Sequence, residues 1–409
     1  MEQTLSHSRI NKWTDIAQYA SQASVILLCL FLPISTSLTT VFFFLTIILV
    51  LCSGDLKQKL ELIFSQPLVW MLCAFYGMFI IGTSYSHAGH ISQLAVLTRY
   101  SRYFFVVFLI PVFLKERVRD FALKAFLISS MITLLLVFLK ASHLFSVRPG
   151  EDCLVIFKDH IDTGFILVAA GYIALLFSMK TSDKKLKHFY YYLVFMVGVA
   201  TFYLGYSRSA YLVFVALSAL FVYQRFSWRY VFIVLAAIPF LAGLLFFMSP
   251  VFKSEVLVAV QGYHQFQEIG VKSHSSAGER MTFYTSGLRA VKQHWLIGSG
   301  SGSMNYVTSY LDKDFQRKIM NLHNEYLNIS VQFGVLGLLV LLSLFYCVWR
   351  TSLKLPFYYN YLMQGVLVTT VSGSLINSWL MDSTEGHFFA IMVILCLAAG
   401  LSKRVANEN

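Results

Sequence analysis

Charged side chains are scarce in this sequence: Asp, Glu, Lys and Arg make up 13% of its 409 residues. Soluble domains carry about 25%, so a water-soluble globular protein is excluded. Hydrophobic residues account for 57% of the chain, and the mean hydropathy is +0.66. We therefore predict an all-α, polytopic integral membrane protein. In a membrane protein, the net charge of +12 reflects either the orientation of the spans in the membrane or an anionic substrate. No nucleic acid partner is expected.

Paired cysteines and nucleotide motifs are also missing. None of the six cysteines forms a CxxC pair, so neither a disulfide framework nor a thiolate metal site is indicated. No phosphate-binding loop, dinucleotide fingerprint or Ser–His–Asp pattern is present, which leaves an ATP-driven pump unsupported. The polar segment Met1–Gln22 has no small-residue cleavage signal, and we expect it to stay on the cytoplasmic side. No cofactor is expected.

Twelve hydrophobic segments are predicted to cross the membrane, because a spanning helix needs about 20 apolar residues and tolerates about 17. The apolar stretch Ala23–Cys52 is divided into two spans by Pro33-Ile-Ser-Thr-Ser37. The other spans are predicted at 68–83, 104–114, 121–138, 161–179, 189–205, 210–223, 230–247, 326–348, 361–376 and 388–401. Residues 1–248 would thus hold spans one to nine, residues 249–325 an outer helical loop, and residues 326–409 spans ten to twelve.

The distribution of basic residues orients these spans. Eighteen Lys and Arg residues lie near the termini and in the loops on the same side, against six in the short loops of the opposite face. This bias predicts cytoplasmic termini. The long loop then faces outward, with helices predicted over 254–270 and 278–294. Since the other connections are short, we expect chemistry at this loop or at its mouth.

Three residues are candidates for chemistry. Arg208, in a four-residue turn at the outer membrane boundary, either contacts lipid headgroups or binds a phosphate. Arg280 opens an amphipathic helix of the loop, where it either forms a solvated face or joins Arg208 in holding a diphosphate. His323 precedes span ten as an ordinary interfacial histidine or a catalytic base. The loop histidines have no zinc-ligand spacing.

Two other motifs of the loop each have a structural and a functional interpretation. The run Gly298-Ser-Gly-Ser-Gly302 is either a flexible turn or a nest of backbone N–H groups for an anion. Asp312 and Asp314 are either an exposed charged turn or ligands of a divalent ion.

Together these motifs resemble those of the O-antigen ligase/polymerase superfamily. The resemblance is carried by Tyr206-Ser-Arg-Ser-Ala-Tyr211, Gly278-Glu-Arg280, the glycine-rich turn and His323-Asn-Glu-Tyr-Leu327, which is its most specific element. It implies a GT-C-type membrane glycosyltransferase in the bacterial inner membrane. Such an enzyme moves a polysaccharide from undecaprenyl diphosphate to a lipid A-core sugar hydroxyl on the periplasmic face, inverting the anomeric centre without metal or ATP.

The resemblance also implies roles for individual residues. Arg208 and Arg280 would hold the diphosphate, and His323 would take the acceptor's proton. Further substrate contacts are expected from a wider set: Tyr206, Tyr211, Asn324, Glu325, Tyr326, Gly300, Lys158 and Arg102. The expected partners are the lipid-linked polysaccharide, lipid A-core and membrane lipids.

Other functions fit the same motifs. A polymerase of the superfamily would extend one lipid-linked glycan onto another, and a protein O-oligosaccharyltransferase would use a protein acceptor. A lipid-linked glycan transporter would move its substrate without breaking the sugar–phosphate bond. The moderate length and the single outer loop are more similar to the ligases.

Overall fold

A computed structural model describes residues 2–144, 152–226, 228–269, 276–307 and 321–408 of the chain. All regular secondary structure in these ranges is helical, which confirms the predicted class for them. The helices before the outer loop are α1 (Glu2–Phe31), α2 (Thr36–Cys52), α3 (Leu56–Phe64), α4 (Pro67–Gly82), α5 (His90–Tyr100), α6 (Arg102–Phe105), α7 (Ile110–Phe113), α8 (Glu116–Ala141), α9 (His160–Lys180), α10 (Lys184–Val199), α11 (Arg208–Arg225) and α12 (Trp228–Met248).

The remaining helices belong to the outer loop and the C-terminal third. They are α13 (Pro250–Ile269), α14 (Ser276–Gln293), α15 (Met304–Val307), α16 (Glu325–Ser352), α17 (Phe357–Gly373) and α18 (Ser383–Glu408). The helices predicted over 254–270 and 278–294 thus correspond to α13 and α14. Asp312 and Asp314 lie outside the described residues.

Six helices in the described ranges are long and apolar enough to cross a membrane. They are the run His90–Phe113, which joins α5 to α7, together with α8, α9, α12, α16 and residues Ser383–Ser402 of α18. A seventh span is formed if α2 and α3, which meet at a 120° bend, count as one. The chain is therefore a multi-pass membrane protein, while the twelve-span count and the GT-C arrangement stay predictions.

The segment predicted as a short span over 104–114 is part of a longer helical run. That run begins at His90, passes through a 3-10 turn at Val106–Leu109 and ends at Phe113. The first half of this helical run was not predicted from the sequence, because Arg99 and Arg102 interrupt the apolar pattern. Arg102 is nevertheless buried, since its guanidinium donates to backbone carbonyls.

Burial separates central helices from peripheral ones. Most residues of α9 and of the apolar part of α18 are buried, whereas none of α12 is. A helix that is apolar on every side and packs on few neighbours presents its surface to lipid. Helix α12 therefore lies at the periphery of the bundle, and α9 and α18 at its centre.

Several helix ends on the predicted outer side lie close together. A π-helical turn, Ala200–Leu204, follows α10, and α11 then starts behind the cap Ser207, whose Oγ accepts the N–H of Ala210 at 3.4 Å. Helix α9 passes close to this turn: a Cβ on Gly164 would lie only 2.9 Å from the Cβ of Ala210. This close approach brings the N-termini of α9 and α11 to one place.

Candidate active site

A cavity of about 630 Å³ lies where α9, α11, α13, α14 and the segment before α16 meet. It brings together the three residues predicted to carry the chemistry, from segments more than 40 residues apart in sequence. Its lining residues are Asp152, Cys153, His160, Ile161, Tyr206, Arg208, Glu255, Glu279, Arg280, Phe283 and His323.

Arg208 is the first residue of α11, so its charge adds to the partial positive charge of a helix N-terminus. Its Nε donates to Oε2 of Glu255 on α13 at 3.0 Å. Both side chains are mostly buried, with 27% of Arg208 and 13% of Glu255 exposed. The arginine is therefore held by a carboxylate inside the cavity and is not spread over lipid headgroups.

Arg280 approaches the same space from the first turns of α14. Burial, and next the charge of Arg208, lower the pKa of Arg280 below its ordinary value. Two guanidiniums that repel each other in a partly dry cavity favour a bound anion, which would compensate both charges. Glu255 pairs with Arg208, and the carboxylates of Asp152 and Glu279 also line the cavity.

His323 is fixed by side chains from two further segments. Its backbone is left-handed, with φ of 51°, and its N–H donates to Oδ1 of Asn321 at 2.7 Å. The ring nitrogen Nδ1 lies 2.9 Å from Oδ1 of Asn377, and the ring stacks on Phe283 with centroids 6.1 Å apart. Since an amide oxygen only accepts, Nδ1 carries the proton and Nε2 keeps its lone pair.

The protonation state of the His323 imidazole is the one that a general base requires. Burial lowers its pKa below the ordinary 6.5; the contact with Asn377 opposes this change and the charge of Arg280 adds to it. The imidazole is therefore neutral at neutral pH. The hydroxyl of Tyr284, one turn after Arg280, donates to the carbonyl oxygen of His323 at 3.2 Å. This hydrogen bond ties His323 to the helix that bears Arg280.

Asp152 positions the turn that precedes Arg208. Its Oδ1 accepts the N–H of Leu154 at 2.9 Å and its Oδ2 that of Tyr206 at 3.2 Å. Lys140 donates to the carbonyl oxygen of Asp152 at 2.9 Å. Burial raises the pKa of Asp152 despite these contacts.

Part of the chain is similar to a known protein family. Residues 191–342 match a protein-family model described as O-antigen ligase. This segment of the chain is therefore similar to the O-antigen ligase family. The matched segment contains Arg208, Arg280 and His323, which all line the cavity. No curated protein matches the chain significantly.

The residues that follow His323 do not line the cavity, although the sequence suggested them as substrate contacts. Asn324 caps α16, with its Oδ1 accepting the N–H three residues on at 2.9 Å. Glu325 is fully buried, and its Oε1 accepts the hydroxyl of Tyr100 at 2.6 Å. The hydroxyl of Tyr326 donates to a carbonyl oxygen of α17 at 2.9 Å. These three residues fix the start of α16.

Three more suggested contacts have structural partners. The hydroxyl of Tyr211 donates to a backbone carbonyl at 2.5 Å, and its ring stacks on Phe202. Lys158 donates to the carbonyl oxygen of Leu32 at 2.8 Å and to the hydroxyl of Thr384 at 2.7 Å. Arg102 lines a second cavity and holds the carbonyls that precede α18. Of the wider set, Tyr206 is the member that lines the active-site cavity.

The glycine-rich turn Gly298–Gly302 is not an open anion nest. The N–H groups of Ser299 and Gly300 donate to carbonyls of α16, and that of Ser301 to a carbonyl of α4. The N–H of Gly302 donates to the side chain of Gln332 at 2.9 Å. The turn is therefore clamped to α4 and α16, and the N–H of Gly300 is already used.

Sequence reasoning missed Asp152, Glu255, Phe283 and Asn377. Each acts through a contact between distant segments, and none belongs to a recognisable motif. One available signal was Asn377 itself, a polar residue just past the apolar run of α17. No group of three or more His, Cys, Asp or Glu in the described ranges is arranged for a metal ion. Metal independence stays a prediction, since Asp312 and Asp314 are not among those residues.

Proposed function

We propose that the protein transfers a glycan from undecaprenyl diphosphate to a sugar hydroxyl of lipid A-core, on the periplasmic face of the inner membrane. The observation that carries this proposal is the convergence of Arg208, Arg280 and His323 on one cavity of about 630 Å³. A diphosphate needs two or more cationic partners, and a hydroxyl acceptor needs a base. The cavity offers both types of group side by side.

The arginines act on the leaving group. As the bond between the anomeric carbon and the diphosphate oxygen breaks, its electron pair and negative charge pass to the diphosphate. Arg208 and Arg280 present planar forks of donors to that charge from two directions. Because they are held by α11, α14 and Glu255 before substrate binds, little reorganisation is required at the moment of transfer.

His323 acts on the acceptor. Its Nε2 accepts the proton of the acceptor hydroxyl while that oxygen forms the new bond to the anomeric carbon. Attack from the side opposite the diphosphate inverts the anomeric centre. The hydrogen bond from Nδ1 to Asn377 holds the tautomer that leaves Nε2 free and stabilises the imidazolium that forms. The donor is already activated by its diphosphate, so the transfer requires no ATP.

The experiment is a transfer assay with the purified protein in lipid. Donor is supplied with lipid A-core, with a second lipid-linked glycan, or alone, and both the glycan product and undecaprenyl diphosphate are quantified. We expect product with lipid A-core. Product only with the second lipid-linked glycan would identify a polymerase, and movement of donor without release of undecaprenyl diphosphate a transporter.

Variants connect the assay to the cavity. Arg208→Ala and Arg280→Ala should each reduce transfer at least about a hundredfold, because one of two phosphate partners is lost. Arg289→Ala is the matched control, since Arg289 lies on α14 but is exposed and outside the cavity. His323→Ala should lose transfer and keep donor binding. Wild-type transfer by either arginine variant would refute the proposed diphosphate site.

A further inference from the structure

A second polar cavity lies on the predicted outer side, apart from the active site. It has a volume of about 380 Å³ and lies between α2, the junction of α5 and α6, and the start of α18. Its lining includes two arginines, Arg99 and Arg102, and one carboxylic acid, Asp382. None of the described residues lines both this cavity and the active-site cavity. The proposed transfer therefore leaves the second cavity without a role.

The charge of Arg102 is buried without a carboxylate partner. The residue is 6% exposed, and its guanidinium donates to the backbone carbonyl oxygens of Arg99, Met381, Asp382 and Ser383 at 2.7 to 3.3 Å. No carboxylate of the described residues forms a salt bridge with it. Carbonyl groups satisfy its N–H donors and do not neutralise its charge. Because a buried cation is costly unless an anion lies beside it, Arg102 favours an anionic ligand in the cavity.

Arg99 supplies a second guanidinium at the rim of the cavity. It lies three residues before Arg102 on the same helical run, so the two arginines share one face. Arg99 is exposed, and its side chain makes no hydrogen bond or salt bridge with the described part of the chain. Together with Asp382, the lining thus carries two guanidinium groups and one carboxyl group. This excess of positive charge matches an anion with a single negative charge.

The depth of the cavity in the membrane indicates a lipid head group. Helices α2 and α18 both begin on the predicted outer side, at Thr36 and Ser383, and the cavity is lined by Thr40 and His387, four residues further along each helix. Four residues correspond to about 6 Å along a helix axis. The polar layer on each side of a bilayer is about 5 to 8 Å thick. The cavity therefore lies at the level of lipid phosphates.

An apolar stripe on α2 continues from the cavity along the side of the helix that faces lipid. Val41, Phe44 and Ile48, spaced by three and four residues, are 57%, 40% and 57% exposed. Phe44 also lines the cavity. A chain attached to a head group at Arg99 would lie along this stripe. The ligand that fits both parts is an amphiphile with an anionic head.

We propose that this cavity binds one molecule of an anionic glycerophospholipid, with its phosphate between Arg99 and Arg102 and its acyl chains along α2. A phosphate diester carries one negative charge and accepts hydrogen bonds from the planar donor forks of arginine. The excess of guanidinium over carboxyl groups selects this head over a zwitterionic one, since an ammonium group would add a further cation. The site goes beyond the proposed transfer and does not depend on it.

Native mass spectrometry of the purified chain in detergent tests the choice of head group. Phosphatidylglycerol, phosphatidylethanolamine and diacylglycerol with the same chains are titrated separately, and the dissociation constant of the first bound lipid is measured. Phosphatidylglycerol should bind at least about tenfold more tightly than the other two, because only its head has a net negative charge. Equal binding of the three lipids, or tighter binding of phosphatidylethanolamine, overturns the proposal.

A substitution at the rim locates the lipid. Arg99→Gln removes one guanidinium from an exposed position, so the protein should fold and its affinity for phosphatidylglycerol should fall about tenfold. Arg117→Gln is the matched control, since Arg117 is also exposed, lies near the membrane boundary on the predicted cytoplasmic side and is outside the cavity. Equal losses in the two variants would mean that surface arginines attract anionic lipid without a defined site, which refutes the proposal.

Asp382→Asn should change the affinity in the opposite direction. The substitution removes the carboxyl group of the cavity and keeps the shape of the side chain, so phosphatidylglycerol should bind about three- to tenfold more tightly. A head group that carries an ammonium would instead lose a partner. Unchanged or weaker binding of phosphatidylglycerol by Asp382→Asn contradicts the charge argument on which the site rests.

Two competitors distinguish the source of the phosphate. Glycerol phosphate without chains should not displace phosphatidylglycerol at equal concentration, because it cannot bury apolar surface along α2. Lipid A also carries phosphates and should displace phosphatidylglycerol no better than unlabelled phosphatidylglycerol does. Displacement by glycerol phosphate, or by lipid A at lower concentration, would assign the cavity to that ligand and overturn the phospholipid assignment.

Discussion

The contact between His323 and Asn377 makes the pH dependence of transfer predictable. Asn377→Asp replaces the neutral acceptor at Nδ1 with a carboxylate of the same shape. A negative charge stabilises the imidazolium, so the pKa of His323 should rise. Because the base works in its neutral form, the acidic limb of the rate profile should then move to higher pH.

The size of the shift follows from the geometry. Nδ1 and Oδ1 are 2.9 Å apart, which puts the charge centres about 4 Å apart. At an effective dielectric constant of about 20, two unit charges at that distance interact by about 4 kcal/mol, which is an upper bound. The buried carboxylate loses hydration, so we expect a rise of about one to two pKa units, at about 1.4 kcal/mol per unit.

The assay is kcat/KM for transfer measured from pH 5 to 9. The wild type should lose activity only below pH 6.5, since burial lowers the pKa of His323. Below both pKa values, Asn377→Asp should be about ten- to a hundredfold slower than the wild type, and it should recover at pH 9. NMR titration of the His323 ring gives the pKa directly and excludes a change in folding as the cause.

Asn324→Asp is the charge-matched control for this prediction. Asp accepts the capping N–H of Leu327 as Asn does, although it loses the hydrogen bond that the Asn324 Nδ2 donates to the carbonyl oxygen of Leu375 at 2.8 Å, and neither contact involves the imidazole. Its profile should stay within a few tenths of a pH unit of the wild type. An unmoved acidic limb in Asn377→Asp would mean that His323 is not the base, or that its Nδ1 does not face Asn377 in the working enzyme.

Three further outcomes are expected. Glu255→Gln keeps an acceptor for Arg208 but removes the carboxylate that competes with the diphosphate, so the donor KM should fall about tenfold, whereas Glu268→Gln on the exposed part of α13 should change nothing. Gly300→Ala forces a Cβ into the chain after α4 at a φ of 84°, and should lower stability by about 2 kcal/mol or more. Gly243→Ala should cause no loss, because a Cβ there, within α12, meets open space. Chelator should leave transfer by the purified protein unchanged; a strict requirement for a divalent ion would implicate Asp312 and Asp314.

The sequence revealed the charged centre of the site because charge stands out against an apolar background. Arg208 lies between two hydrophobic segments, where an arginine is costly unless it has a partner. Arg280 and His323 lie in the longest polar stretch, and the structure places them on the same cavity. Their partners Glu255 and Asn377 were not predicted as such, because neither belongs to a motif and only folding brings them within 3.0 Å of the arginine and the histidine.

Membership of a sequence motif predicted the role of a residue less well than the position of that residue in the fold did. His323, Asn324, Glu325 and Tyr326 are consecutive, yet only His323 lines the cavity. The others point into α16 and its neighbours because a helix start needs a cap and buried anchors. A short motif at a helix N-terminus thus combines one residue of the candidate site with the structural residues that position it.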